Sequence, residues 1–215
     1  MNPFQTGECN KYYRSSSDHF SVEYFFVQPW RHDNFTLEVF LSLANYYLES
    51  ESQLEITSIS NGKTGSNCFY FEKFKKWQGI AIEPSNQQFV SLKKNRNCSL
   101  INKAISNNNG THKFFEVKEG LTQMSGLDEN YYQQNYNEIK KDKNTVINEI
   151  MIKTITLDTL ISEYKIKEID YCSIDVEGGE FSIIENFDFS KCLIKVISLE
   201  NNESEKKRYH SILEK

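Results

Sequence analysis

Residues Ile169–Gly179, IDYCSIDVEGG, indicate the fold of this chain more clearly than any other segment. Its first six residues are mostly apolar or small, as in a strand that is buried on both faces of a sheet. Two acids and two glycines follow at once, so the strand ends in a tight turn beside charged groups. A buried strand that runs through such a turn into a helix is typical of α/β proteins.

Strands and helices alternate on both sides of this stretch. We predict strands at 54–60, 79–83, 99–105, 169–174 and 193–199, with an extended piece at 113–117. We predict helices at 66–76, 86–95, 155–164, 177–187 and 204–215. This order predicts an α/β fold, with a mostly parallel central sheet and helices on both of its faces.

Three segments complete the predicted organisation. Residues 1–50 form an N-terminal arm that contains a helix at 35–48, and residues 51–215 form the main domain. The first helix of that domain has an apolar side made of Phe69, Phe71, Phe74 and Trp77. Residues 118–150 show no clear period and are assigned to a long loop, which in a compact domain is either functional or mobile.

Composition excludes several classes of protein. The chain has 215 residues and a formal net charge of −5, so it lacks the basic field that attracts nucleic acid. No apolar run approaches the roughly 20 residues of a membrane-spanning helix. The polar N-terminus has no apolar signal core, and the five cysteines form no CxxC pair. We expect a cytoplasmic protein, in the host cytoplasm if the Asn- and Lys-rich usage reflects an AT-rich viral genome.

The carboxyl ends of the predicted strands are where a ligand should bind. Gly62 allows a tight turn and a close backbone approach, and the helix after it offers free N–H groups. Glu83 ends a buried strand about 20 residues later, where an acid can accept hydrogen bonds from a ribose diol. Asn102 could contact an adenine edge. Asp175 and Glu177 end another strand, and two such acids suit a general base or a cation.

Each of these residues also has a simpler interpretation. Asp175 could cap the helix that follows it. Gly62 could serve only its turn, and Glu83 could be an ordinary surface acid. The four histidines form no motif.

The residues together resemble the FkbM family of S-adenosylmethionine-dependent methyltransferases. The similar stretches, in chain order, are GKTGSNCFYFEKFKKWQGIAIEPS (62–85), SLINKAISNNNGTHKFFEV (99–117), MSGL (124–127), TLDTL (156–160), IDYCSIDVEGGEFSIIENF (169–187) and VISLE (196–200). The resemblance implies a class I methyltransferase-like (Rossmann-like) three-layer fold. It also implies S-adenosylmethionine as cofactor and methylation of a hydroxyl, often on a sugar, a glycan or a natural product.

The resemblance also implies roles for individual residues. Glu83 would hold the cofactor's ribose, while Asn102 and Ala104 would flank its adenine. The loop and helix start after the first strand would hold its amino acid end, through Ser58, Gly62, Ser66 and Asn67. Asp175 would lie near the transferred methyl group, and Glu177 would help to shape the cleft.

The chain departs from the family's pattern in its first motif. Ile56 stands where the family has an acid, Ser58 replaces a glycine and Asn61 replaces an aspartate. The lost acid would cost about 1.5–3 kcal/mol of cofactor binding. Residues 1–53 match poorly, and the family's last two strands have no counterpart before Lys215. Two hypotheses follow: an active O-methyltransferase, or a methyltransferase-like binding or structural protein without catalysis.

Two further expectations concern Asp175 and the sheet edge. Asp175 is the candidate general base, although Asp175 and Glu200 together could instead hold a divalent cation. If the last strands are missing, the strand at 193–199 has an open edge that a second copy of the chain could pair with, as a homodimer.

Overall fold

The computed structural model describes residues 11–15, 21–27, 52–57, 62–63, 66–128, 137, 139–200 and 209. The predicted helix at 35–48 lies outside these residues, and so do Ser58 and Asn61. Of the predicted helix at 204–215, only Tyr209 is described, and it is helical and fully buried.

Eleven strands and three α-helices are described. The strands are β1 Lys11–Ser15, β2 Ser21–Val27, β3 Ser52–Thr57, β4 Gln78–Ile82, β5 Ser99–Ile101, β6 Ala104–Ile105, β7 Gly110–Glu119, β8 Gly126–Leu127, β9 Val146–Ile155, β10 Glu168–Asp175 and β11 Leu193–Glu200. The helices are α1 Asn86–Asn95, α2 Leu157–Tyr164 and α3 Glu180–Glu185. Short helical turns lie at Phe71–Lys75 and Thr122–Met124. The predicted α/β class is confirmed.

The first sheet has seven strands in the order β1-β2-β11-β10-β3-β4-β5. Neighbours from β2 to β5 are parallel, and only β1 and β2 pair antiparallel. Its central strands are rich in β-branched residues, which favour a pleated surface covered on both sides. The buried core contains Leu54, Ile56, Ile80, Ile82, Ile174 and Ile197.

The edge of β11 does not have the open form that the sequence suggested. β2 pairs with β11 in parallel register, with Ile197 opposite Tyr24, and β1 continues the sheet beyond β2. The hairpin formed by β1 and β2 therefore covers the edge on which the expectation of a homodimer depended. A homodimer remains untested, but this edge no longer supports it.

A second sheet of four strands, in the order β6-β9-β7-β8, was not predicted. β6 and β9 are parallel, whereas β7 pairs antiparallel with both β9 and β8. β8 and the first half of β9, residues 146–150, fall within the segment assigned to a long loop, so that prediction is wrong for these strands. β9 alternates in part, since Ile152 and Thr154 are buried while Met151 and Lys153 are exposed.

Two predicted elements are corrected by the structure. The single strand at 99–105 divides at Asn102 into β5, in the first sheet, and β6, in the second. Instead of the helix predicted at 66–76, the structure has mainly a π-helical turn at Phe71–Lys75. A π-helical turn has more residues than an α-helical turn, so different side chains share a face. Phe71 is buried and stacked on Trp77 at 4.5 Å, whereas Phe74 is 66% exposed rather than inward.

Candidate functional site

Three neighbouring strands bring the predicted site residues to one edge of the first sheet. β10, β3 and β4 are adjacent and parallel, with Asp175 opposite Thr57 and Ile56 opposite Ile82. Neighbouring strands lie about 5 Å apart, so the ends of β10 and β4 are separated by about 10 Å. Asp175 and Glu83 therefore lie at the same edge of the sheet, formed by the carboxyl ends of parallel strands, where the sequence predicts that a ligand binds.

Glu83 lies directly after β4 and is only 2% exposed. One carboxylate oxygen, Oε1, accepts a hydrogen bond from the backbone N–H of Ser85 at 2.7 Å. This bond closes the turn that leads into α1, whose first turn is capped by the Ser85 hydroxyl. The interpretation of Glu83 as an ordinary surface acid is wrong, because its side chain is buried. Burying a carboxylate is costly unless its surroundings compensate, so its position calls for an explanation.

Asn102 is adjacent to Glu83, although the two are far apart in sequence. Its side-chain amide donates to the backbone carbonyls of Glu83, at 2.8 Å, and Pro84, at 3.1 Å. The Asn102 side chain is otherwise exposed at the rim of the cleft. The structure thus brings together the two residues that the sequence assigned to the two halves of an adenosine group.

The loop after β3 is held by bonds within the protein. Gly62 has φ +74°, and a Cβ there would lie 2.8 Å from Leu92 Cδ1, so the glycine is needed for packing on α1 as well as for its turn. The Ser66 hydroxyl accepts from the backbone N–H of Phe69 at 2.9 Å. The Asn67 amide donates to the Ser173 hydroxyl on β10 at 3.0 Å, which ties the loop to the strand that ends at Asp175.

The turn after β10 has an unusual backbone. Glu177, Gly178 and Gly179 have φ values of +58°, +123° and +97°. Left-handed residues cannot continue a right-handed helix, so α3 begins at Glu180 rather than at Glu177 as predicted. The helix is preceded by Gly179, which offers no side-chain cap, and so the interpretation of Asp175 as the cap of this helix is not supported.

Glu180 is a functional candidate that the sequence reasoning missed. It is fully buried, and its Oε1 accepts from the backbone N–H groups of Val176, at 2.8 Å, and Gly178, at 3.2 Å. Burial raises the pKa of Glu180 to about 7, and the nearby Asp175 carboxylate adds to the rise. The signal was present in the sequence as an acid that directly follows the two glycines, at the start of a helix.

A small apolar cavity opens between the strand ends and the second sheet. It is lined by Ile56, Ile82, Pro84, Lys103, Ala104, Ile105, Phe114, Ser125, Leu127 and Val176. Ala104, predicted to flank adenine, is therefore on the wall of this cavity beside the end of β4. An apolar wall beside buried acids suits a ligand with a flat apolar part and a polar part.

A larger crevice of about 620 Å³ lies at the opposite, amino ends of the strands, where Ser52, Gln78, Ser99 and Glu168 line it. Size alone would favour it as a binding site. However, ligands of parallel α/β sheets bind at the carboxyl ends of the strands, where Glu83 and Asp175 are. We therefore place the candidate site at the carboxyl ends of the strands, where the smaller cavity, of about 20 Å³, provides an apolar wall rather than room for a whole ligand.

Other chemistries have less support in the described residues. The side chain of Glu200 is not described, so its pairing with Asp175 around a cation stays untested. The part of the chain that the structure describes contains no group of three or more His, Cys, Asp or Glu side chains able to hold a metal ion. Burial raises the pKa of the Cys192 thiol to about 11 and that of Cys172 further, so neither is a reactive thiolate near neutral pH.

The comparisons with known proteins agree with this geometry. A family model described as the methyltransferase FkbM domain matches residues 56–214. This range includes all three strand ends that form the cleft. No curated protein and no solved structure gave a significant match. None of the described helices is long and apolar enough to cross a membrane.

Proposed function

Because the chain belongs to the FkbM methyltransferase domain family, we propose that it is an S-adenosylmethionine-dependent O-methyltransferase. Its acceptor would be a hydroxyl group of a sugar, a glycan or a small natural product. The observation that carries the proposal is the meeting of Glu83, the Gly62 loop and Asp175 at one edge of β4, β3 and β10. We also propose that the first sheet is the central, mostly parallel sheet of a class I methyltransferase-like fold.

The residues at this edge fit the cofactor. The buried Glu83 carboxylate suits a ribose diol, and Asn102 and Ala104 are beside it, where an adenine ring would meet the apolar cavity. The carboxylates at the other side of the cleft suit a cationic group, because opposite charges attract strongly where water is excluded. When bound, S-adenosylmethionine would supply a methyl group on a positively charged sulfur.

Asp175 is the residue that we assign to the acceptor. A hydroxyl is a poor nucleophile because it is almost entirely protonated at neutral pH, so a base beside it raises its reactivity. Asp175 ends β10 at the cleft, with its Oδ1 atom buried. Burial and the nearby Asp175 carboxylate raise the pKa of the neighbouring Glu180, whose Oε1 is already bonded to backbone N–H groups, so we assign Asp175 as the group that accepts the hydroxyl proton. Glu177 sits at the turn and would shape the acceptor side of the cleft.

Cofactor binding tests the proposal first. Calorimetric titration with S-adenosylmethionine and S-adenosylhomocysteine should show binding of both. Asp175→Asn should still bind the cofactor, although more weakly because one attraction to the cationic sulfur is lost. At saturating cofactor it should form S-adenosylhomocysteine at least a hundredfold more slowly with any hydroxyl acceptor that the wild type uses.

The control is Glu163→Gln, which removes an exposed acid near the end of α2, next to Tyr164, which lines the crevice at the amino ends of the strands. It should keep full turnover. Normal turnover by Asp175→Asn would refute the assigned role. Absence of cofactor binding by the wild type would favour the non-catalytic alternative, which no observation on the structure supports at present.

A further inference from the structure

The segment after β3 is where the chain departs most from its family, and yet its described residues, 62–63 and 66–69, make several contacts with the rest of the protein. Ile56, which stands where the family has an acid, is 1% exposed inside the core and offers no polar group. Besides the bond from Asn67 to Ser173, two described bonds to this segment come from Arg96, which lies directly after α1.

Arg96 contacts the loop at two points. Its Nη1 donates to the Ser66 hydroxyl at 3.1 Å and to the Gly62 carbonyl at 3.5 Å. Its guanidinium also lies 5.9 Å from the centre of the Phe69 ring. The side chain is 0% exposed, so these contacts are made away from solvent, where they are stronger.

Glu72 fixes the orientation of this guanidinium. Its Oε2 accepts from Arg96 Nε at 2.5 Å, while its Oε1 accepts from the backbone N–H of Asn97 at 2.6 Å. Although burial alone would raise it, the pKa of Glu72 is lowered, because these hydrogen bonds and the charge of Arg96 favour the carboxylate. Glu72 therefore stays ionised, and the planar fork of Arg96 has one orientation.

We propose that Arg96 is the positioning residue for cofactor binding, because its guanidinium holds Gly62 and Ser66 in the positions that the site requires. This inference rests on the proposed function. A buried ion pair adds little net stability, since the loss of hydration offsets much of the attraction. What the pair contributes is the position of Gly62 and Ser66. The contacts from Arg96 take the place of the polar contacts that an acid would make and that Ile56 cannot make.

Shape, rather than charge, is what the proposal requires. Arg96→Lys keeps a positive charge for Glu72 but loses the planar fork, and one ammonium group cannot reproduce the contacts to Glu72, Ser66 and Gly62 together. We expect Arg96→Lys to weaken S-adenosylmethionine binding at least tenfold. Arg96→Met should weaken it further.

Lys195→Met is the matched control. Lys195 pairs with Asp170, a fully buried carboxylate, at 2.7 Å, and this pair lies at the amino ends of the strands, away from the loop. Its loss should lower the melting temperature as the Arg96 variants do, but leave cofactor affinity within about twofold.

Calorimetric titration of S-adenosylmethionine into the full chain and these variants, with melting temperatures measured in parallel, tests the proposal. Wild-type affinity in Arg96→Lys would overturn it, and so would an equal loss of affinity in Lys195→Met, which would show a merely structural effect. If Arg96→Met does not fold, Arg96→Lys decides alone. Absence of binding by the wild type would contradict the proposed function instead, so the two failures are distinguishable.

Discussion

Replacing Gly62 by alanine should destabilise the protein through two separate effects. Gly62 has φ +74°, a conformation that costs a residue with a Cβ about 1–2 kcal/mol. The new methyl group would lie 2.8 Å from Leu92 Cδ1, 3.2 Å from Arg96 Cγ and 3.3 Å from the Leu92 Cα. Leu92 Cδ1 can move, but its Cα belongs to the backbone of α1. Overpacking of this kind costs about 1–3 kcal/mol.

The two effects together predict a loss of about 2–5 kcal/mol in the free energy of unfolding. Urea unfolding followed by circular dichroism measures this loss directly. For a chain of this size the melting temperature should fall by about 2–4 °C for each kcal/mol. Cofactor affinity should fall too, because the displaced carbonyl of Gly62 is one of the contacts of Arg96.

Lys63→Ala, at the exposed neighbouring residue, is the control and should change stability by less than about 0.5 kcal/mol. The reasoning also predicts coupling: in a Leu92→Ala background, where the nearest atom is gone, Gly62→Ala should cost less than it does in the wild type. A cost below about 0.5 kcal/mol for Gly62→Ala in the wild-type background would refute the packing that we describe between the loop and α1.

Two further predictions concern groups described above. The pKa of Glu180 is raised from 4.5 to about 7, so folding takes up a proton between these pH values. The free energy of unfolding therefore falls as pH rises through this window, by at most about 3 kcal/mol. Glu180→Gln should remove most of this slope and be more stable than the wild type at pH 8, and an unchanged slope in urea unfolding between pH 5 and pH 8 would contradict the assignment. Phe71→Ala should cost about 3–5 kcal/mol because Phe71 is 2% exposed, whereas Phe74→Ala, at a side chain that is 66% exposed, should cost less than about 0.5 kcal/mol. Equal losses of stability would mean that the π-helical turn is misplaced.

The elements that the sequence predicted well are those whose signals are local. The helix predicted at 86–95 coincides with α1, because Ser85 caps it and Leu92 is the apolar residue that it buries. The strand at 169–174 differs from β10 by one residue at each end, since a run of residues buried on both faces needs no partner to be identified.

The elements that the sequence predicted poorly depend on distant partners. β9 was assigned to a loop, although Ile152 and Thr154 alternate with exposed residues, because its partner β7 lies more than 25 residues earlier. The division of the 99–105 strand follows from Asn102, whose amide binds the carbonyls of Glu83 and Pro84. Both contacts join residues far apart in sequence, whereas a hydrophobic pattern is read over a short run of neighbouring residues, so the pattern could not reveal them.

The candidate site shows the same division. Glu83 and Asp175 could be named from the sequence because they end predicted strands, and the structure places them and Asn102 at the same edge of the sheet. Arg96 could not be named, because its role depends on burial and on hydrogen bonds across the fold. Glu180 had a local signal, the acid after Gly178 and Gly179, but its burial and its bonds to the turn had none. Resemblance to a family identifies residues in its motifs, such as Glu83 and Asp175, more readily than residues such as Arg96 that orient the site from outside those motifs.

Whether the carboxyl ends of β3, β4 and β10 bind S-adenosylmethionine is best decided by calorimetric titration of the cofactor into the wild type, Glu83→Gln and Glu119→Gln. Glu83 is buried at the end of β4, whereas Glu119 is an exposed acid at the end of β7. We expect binding by the wild type, a loss of tenfold or more in affinity for Glu83→Gln, and a change of less than twofold for Glu119→Gln. No binding by the wild type at millimolar cofactor, or equal affinities for the wild type and Glu83→Gln, would contradict the account.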